Sequence, residues 1–245
     1  VLASTVPNCR TYDPAFAYEL AIIVHDGIEA MYGEGLDVFY YLTLYNENYV
    51  MPALPPGRDP AEIGEGVVSG LYKWVDPPIE RRHATLLFSG SAWKAAAEAQ
   101  QLLAEHFGIG VELWSATSYK ALREDALEAE RWNRLHPGEP PRTPLVTEKL
   151  LGAIGPVVAV TDYNRSVPDQ ISRWVPGRWL SLGTDGFGRS DTREQLRRFF
   201  EVDAGHVCVA VLSQLCAEGV VSPEVVGDAI ARFGLDTETA APWLD

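Results

Sequence analysis

The sequence predicts an α/β fold, a three-layer arrangement around a mostly parallel sheet. Three observations predict it. Short runs of β-branched and aromatic residues alternate with segments whose apolar residues recur at helical spacing. The distances between successive runs suit strand–helix–strand crossovers, the connection parallel strands require. No internal repeat or low-complexity tract interrupts the alternation, and 47% hydrophobic with 22% charged residues is ordinary for a globular chain of 245 residues.

Taken in order, Leu2 to Val6 reads as a short strand and Pro7 to Thr11 as a loop. Asp13-Pro14 reads as a helix start, with Asp at the cap and Pro in the first turn. Phe16, Leu20, Ile23, Val24, Ile28 and Met31 then follow at helical spacing until Gly33 and Gly35. Val38 to Leu44 is the next strand, completing one βαβ unit. Between Tyr45 and Arg82 stand Pro52, Pro55, Pro56, Pro60, Pro77 and Pro78, a density that predicts an irregular connector and a domain boundary. A strand over Gly66 to Trp74 is the one regular element expected there.

The alternation restarts at the strand Ala84 to Phe88, with Ser89-Gly90-Ser91 turning into an Ala-rich helix from Ala92 to Phe107. Val111 to Trp114 is a strand and Tyr119 to Leu135 a polar, partly helical segment. After prolines 137, 140, 141 and 144 come a short helix (Val146 to Leu151), a strand (Val157 to Thr161), another short helix (Pro168 to Trp174) and a strand ending in Trp179 to Leu182. The glycine-rich turn Gly183 to Arg193 leads into a helix from Asp191, where Asp191 and Glu194 have capping-box spacing. Ala204 to Glu218 and Pro223 to Phe233 are closing helices.

The net charge of −14 and pI near 4.8 argue against non-specific nucleic-acid binding. Cys9, Cys208 and Cys216 form no C-x-x-C pair, and so sparse a set fits a reducing compartment. No apolar run reads as a membrane span and no signal peptide is recognised. With arginine far outnumbering lysine, the expectation is a bacterial, cytoplasmic protein. The chain opens with Val1 in what reads as a strand, so it is expected to be a piece of a longer protein.

Gly183 to Arg193 is the first candidate site. A strand, a glycine turn and a helix start can cradle an anion, and Gly186, Gly188 and Arg189 are its candidate residues, with Arg193, Arg197 and Arg198 nearby. Its G-x-x-G-x-G order is not the dinucleotide fingerprint, which weakens a dinucleotide oxidoreductase reading; a plain chain reversal is the structural alternative. The second candidate is Asn46-Glu47-Asn48-Tyr49, following the carboxyl end of a strand, where α/β proteins gather ligands. The same residues could simply shape a turn. His25, His83, His106, His136 and His206 show no metal-ligand spacing, and Glu124, Asp125, Glu128 and Glu130 read as a solvated helix face. Neither G-x-S-x-G nor a P-loop occurs. Residue chemistry alone therefore names no reaction.

Read together, Pro7 to Ala15, Asn46 to Tyr49, Glu130 to Asn133 with Leu135-His136-Pro137, Leu182 to Asp191, and Glu201 to Ala204 resemble the homodimeric type of pyruvate dehydrogenase. That family is the thiamine-diphosphate-dependent, decarboxylating component of the pyruvate dehydrogenase complex. The resemblance runs in order over nearly the whole chain. It implies that residues 1–54 end a transketolase-like middle, pyrimidine-binding domain, that 55–81 are a proline-rich connector, and that 82–245 form a transketolase-like C-terminal domain.

For the full-length protein the resemblance implies pyruvate decarboxylation on thiamine diphosphate with Mg2+, and acetyl transfer to the lipoyl group of the dihydrolipoyl acyltransferase. It also implies a homodimer. The family's G-D-G…N-N motif is absent here, and its activating glutamate and active-site histidines lie upstream of Val1. Catalytic residues are therefore not expected in this chain, nor is cofactor binding by this chain alone. Asn46, Glu47 and Asn48 would line the substrate entrance. The chain itself would supply scaffold and dimer surface, with the apolar face of the helix from Pro14 to Met31, Ile23 included, as a candidate contact. The rival reading is an autonomous anion-sensing or assembly module using the 183–193 turn.

Overall fold

The computed structural model describes residues 1–244. Its larger part is a sheet in the order β3-β5-β4-β6-β7, five strands among the described residues: β3 Tyr72–Val75, β4 Arg82–Phe88, β5 Gly110–Ser115, β6 Val157–Val160 and β7 Trp179–Leu182. β4, β5, β6 and β7 run parallel and β3 joins the β5 edge antiparallel. The side chains of the central strands β5 and β6 are buried on both faces, and in β6 the run is apolar throughout. Period-2 alternation sorts them. Leu86, Phe88, Val111, Leu113, Val158 and Val160 face one core with α3 Trp93–Phe107 and α7 Ala204–Ala217. Leu87, Trp114, Val157 and Ala159 face the other, with α4 Tyr119–Leu135 and α5 Leu145–Leu150. The predicted three-layer α/β sandwich is what forms.

The smaller part is a βαβ unit. β1 Cys9–Tyr12 and β2 Phe39–Leu42 pair in parallel, Cys9 opposite Phe39 and Tyr12 opposite Leu42, through α1 Ala17–Ile28. It shares the first core. Phe16, fully buried at the start of α1, packs 5.1 Å from the Trp74 ring and 6.0 Å from Phe88. Glu19, also fully buried, ties the two parts in polar terms. One carboxylate oxygen accepts from the Ala15 and Phe16 N–H groups (2.6 and 3.1 Å), the other from the Tyr72 and Ser115 hydroxyls (both 2.6 Å).

Several local expectations are corrected, each because tertiary pairing overrides local preference. Ala3–Thr5 is a 3-10 turn, not a strand; the strand is Cys9–Tyr12, which propensity reads as a loop but which β2 pairs. Asp13 does not cap α1. The helix begins at Ala17 with Glu19 reaching back to its first N–H groups, and it runs on into a π turn at Glu29–Gly33. The connector holds α2 Pro60–Ser69, in which Asp59 accepts from the Ala61 N–H at 3.0 Å, Pro60 takes the first turn and Gly70 closes the helix at φ 103°. Proline at a helix start costs little, so proline density alone overstated the irregularity of this stretch. The strand expected over 66–74 is therefore helix up to Ser69, then β3.

Pro168–Trp174 is 3-10. α6 Arg193–Phe199 is capped by Thr192, whose hydroxyl accepts from the Gln195 N–H at 3.3 Å, rather than by Asp191. α8 Pro223–Arg232 closes the fold against α7. By length and composition residues 193–217 could span a membrane, but they fold as two helices with Glu201 at φ 58° between them, and α7 is a core helix.

Candidate functional site at the strand ends

The sheet changes direction between β4 and β6: the chain moves from β4 to β5 on one side, then returns to β6 on the other. Loops leaving the carboxyl ends of such strands part and open a crevice. Here they are Ser89-Gly90-Ser91 after β4 and Thr161-Asp162-Tyr163 after β6. The Ser89 and Thr161 hydroxyls meet at 3.0 Å, and the Ser91 hydroxyl donates to the Asp162 carboxylate. Two cavities flank this crest and share Tyr163.

One, of about 450 Å³, brings both sequence candidates together. Asn46 and Glu47 approach from the β2 side, Gly186, Gly188 and Arg189 from the glycine turn, and Arg193 and Arg197 from α6. Asn48 is exposed and outside the lining. Glu47 receives Arg197 in a fork at 2.6 and 3.4 Å and Lys94 at 2.7 Å. Partial burial opposes ionisation of its carboxyl, but hydrogen bonds and charge from Arg197 and Lys94 outweigh burial and hold it down at about 2. Lys94 also lies 4.6 Å over the Tyr49 ring, and Tyr49 donates to the Ala15 carbonyl at 2.7 Å. Arg193 donates to the neutral Asn46 amide oxygen at 2.6 Å, and Arg189 stacks 4.1 Å over Phe199.

The glycine turn packs tightly against the protein. A Cβ on Gly183 would stand 2.4 Å from the Tyr163 carbonyl oxygen, and Gly186, at φ 111°, would meet the Pro242 carbonyl oxygen at 2.5 Å. Gly188 faces open space. The Thr184 and Asp185 N–H groups donate to the Tyr163 and Gly183 carbonyls, so these two are spent inside the protein. Positive charge at this cavity comes from arginine side chains rather than from that backbone.

The other cavity, of about 470 Å³, lies between the βαβ unit and the sandwich. Asp13 lines it. One of its carboxylate oxygens accepts from Thr43 at 2.6 Å and Tyr45 at 2.5 Å; among the described residues the other has no partner, nor has the buried Tyr119 hydroxyl. Burial raises the Asp13 carboxyl above the ordinary range. Sequence reading missed Asp13 and Glu19. An acid in the first turn of an otherwise apolar helix was the available signal for Glu19; Asp13 gave none beyond its false cap. The histidines serve locally: His83 accepts from the Gly110 N–H at 3.0 Å, His136 stacks 3.6 Å from Trp132, and His206 meets Asp203 at 2.7 Å. Among the described residues no group of three or more His, Cys, Asp or Glu is placed to hold a metal.

Residues 70–203, more than half of the chain, match the transketolase-like TK C-terminal domain. The chain belongs to that family. Residues 1–52 of this transketolase-like protein match the pyruvate dehydrogenase E1 component middle domain. Among curated relatives, a pyruvate dehydrogenase E1 component of Pseudomonas aeruginosa is 49% identical over 244 residues, covering 99% of this chain and 27% of the relative. That of Escherichia coli K12 is 46% identical over 242 residues, covering 98% and 26%, and that of Mycobacterium tuberculosis is 44% identical over 244 residues, covering 99% and 26%. The chain thus spans about a quarter of the length of these relatives.

Among solved structures, the transketolase of Leishmania mexicana superposes with a TM-score of 0.58 at 19% identity over 87% of this chain and 26% of that one. A Pichia stipitis transketolase complex with sedoheptulose 7-phosphate gives 0.60 at 16% identity over 89% and 28%. A split-gene transketolase described as an inactive β4 tetramer gives 0.56 at 19% identity over 87% and 60%. These structures establish the transketolase-like α/β architecture.

Proposed function

We propose that this chain is the scaffold and subunit-contact portion of a pyruvate dehydrogenase E1 component. The whole protein would decarboxylate pyruvate on thiamine diphosphate with Mg2+ and transfer the acetyl unit to the lipoyl group of a dihydrolipoyl acyltransferase. The observation that carries this reading is identity of 39–49% to proteins of that name over essentially the whole chain. The residues present do not fit a diphosphate–metal site, for they lack the G-D-G…N-N pattern and a clustered ligand set among the described residues. No chemical step is therefore assigned to them. Their contribution is positional: a reaction held between domains and subunits depends on rigid placement of its parts.

Such rigidity has a physical source in the shared core and the polar ties Glu19 and Glu47, which bind the βαβ unit to the sandwich. Ile23 cannot be a subunit contact, because it is fully buried in that core. The outward side of the same helix and its π turn shows Val24, Ile28 and Tyr32, exposed by 41, 55 and 82%. These three residues form the proposed subunit-contact face. Asn46, held by Arg193, and Glu47, held by Arg197 and Lys94, would border the substrate entrance.

The test is reconstitution. This chain alone should release no carbon dioxide from pyruvate, whereas joined to the upstream E1 residues it should do so with thiamine diphosphate and Mg2+ present. Carbon dioxide release by the chain alone would overturn the scaffold reading. A joined, folded and inactive protein would overturn the decarboxylase reading.

A further inference from the structure

We infer that the cavity between Asn46-Glu47, the glycine turn and α6 is a binding site for a small organic oxyanion, a carboxylate or phosphate carried on a short carbon body. The inference does not rest on the decarboxylase reading. Its first support is charge. In a chain of net charge −14, this lining brings Arg193 and Arg197 together opposite Glu47 and Asp162, and Lys94 stands behind Glu47. Arginine concentrated in a concave site of an acidic protein focuses potential toward anions.

The second support is how those charges are spent. Arg197 is neutralised by Glu47 in a two-pronged pair. The hydrogen bond of Arg193 among the described residues goes to a neutral amide, which leaves its positive charge uncompensated by that partner. A planar guanidinium with further N–H groups is suited to carboxylate or phosphate. Asn46 fixes the Arg193 head at the rim of the cavity.

The third support is shape. About 450 Å³ exceeds a bare ion and lies within the range of small-molecule sites. Leu196, Phe200 and Val202 supply an apolar wall below the arginines. An anionic head would lie at Arg193 with a short carbon body against that wall. The location agrees, since the cavity opens beside the carboxyl ends of β4 and β6 where the sheet reverses. Because its two sides belong to the βαβ unit and the sandwich, an occupant would brace one against the other.

Calorimetric titration of the 245-residue chain at low ionic strength tests this, with inorganic phosphate, glycerol 3-phosphate and butyrate as probes. At least one probe should bind saturably with a Kd of about 1 mM or tighter. Glycerol 3-phosphate as the better ligand would make it a phosphate-ester site, and butyrate a carboxylate site. Arg193→Gln should weaken binding at least tenfold, whereas Arg173→Gln, whose arginine pairs with Glu130 outside the lining, should leave it within twofold. Leu196→Trp keeps every arginine but fills the cavity, and it should also weaken binding at least tenfold. Circular dichroism confirms that each variant is folded. Absence of saturable binding for all three probes, or binding that Arg193→Gln and Leu196→Trp both leave within twofold, would overturn the inference.

Discussion

Glu19 offers the sharpest test of how the two parts are held together. Glu19→Ala removes a buried acceptor from four donors at once. Two of these, the Tyr72 and Ser115 hydroxyls, can rotate, and Tyr72 already lies 2.7 Å from the Tyr18 hydroxyl. The Ala15 and Phe16 N–H groups cannot rotate, and both residues are 1% exposed. Leaving two such donors unpaired costs about 1–3 kcal/mol each, and the emptied side-chain volume adds to this, giving about 3–6 kcal/mol.

Glu19→Gln keeps the shape. Its carbonyl oxygen can accept both N–H groups while its NH2 donates to hydroxyls that reverse, so about 1 kcal/mol is expected. Urea unfolding followed by tryptophan fluorescence compares the variants, with an unchanged slope required for the comparison. Trp74 and Trp93 lie 5.1 and 5.4 Å from Phe16 and report on this junction. If Ala and Gln cost the same within about 0.5 kcal/mol, the orphaned N–H groups do not carry the cost.

pH supplies an independent arm. Burial raises the Glu19 carboxyl despite its hydrogen bonds. A raised folded-state value favours the protonated form in the native protein. Its contribution is therefore full below the unfolded value, about 4.3, and is lost as pH rises through the folded value. The wild type should lose stability relative to Glu19→Gln across that window, and a gain would contradict the assignment.

Glu47 should behave in the opposite sense. Its carboxyl is held at about 2, so its stabilisation is present above about 4.3 and disappears as pH falls toward 2. Glu47→Gln should therefore cost about 1–3 kcal/mol at pH 7 and progressively less below pH 4, measured by thermal unfolding; a pH-independent difference would mean that the Arg197 and Lys94 pairing of Glu47 does not stabilise the fold. Ile23→Asp should unfold the protein by burying a charge in the shared core, at a cost of about 3 kcal/mol or more, seen as loss of the cooperative urea transition. Ile28→Glu, on the exposed side of α1, should leave stability within about 0.5 kcal/mol but weaken subunit association of the full-length protein in sedimentation. An unchanged dimer would remove this face from the interface.

The sequence by itself determined the layer architecture. Central parallel strands such as Val157–Val160 are buried on both faces and must be continuously apolar, while α3 needs its small residues to lie on the sheet, so both patterns are written locally. It also picked out the residues whose resemblance led to the family, and the two stretches, 46–49 and 183–193, that only the fold brings to one cavity. Only the tertiary structure decided that Cys9–Tyr12 is a strand, that the proline-rich stretch supplies α2 and the edge strand β3, and that Asp13 lines a cavity instead of capping a helix. The same holds for the pairing of Glu47 with Arg197, 150 positions apart. Strand pairing and partly buried ion pairs are set by partners distant in the chain, whose burial changes what a residue's own preference would choose, and no local pattern carries that information.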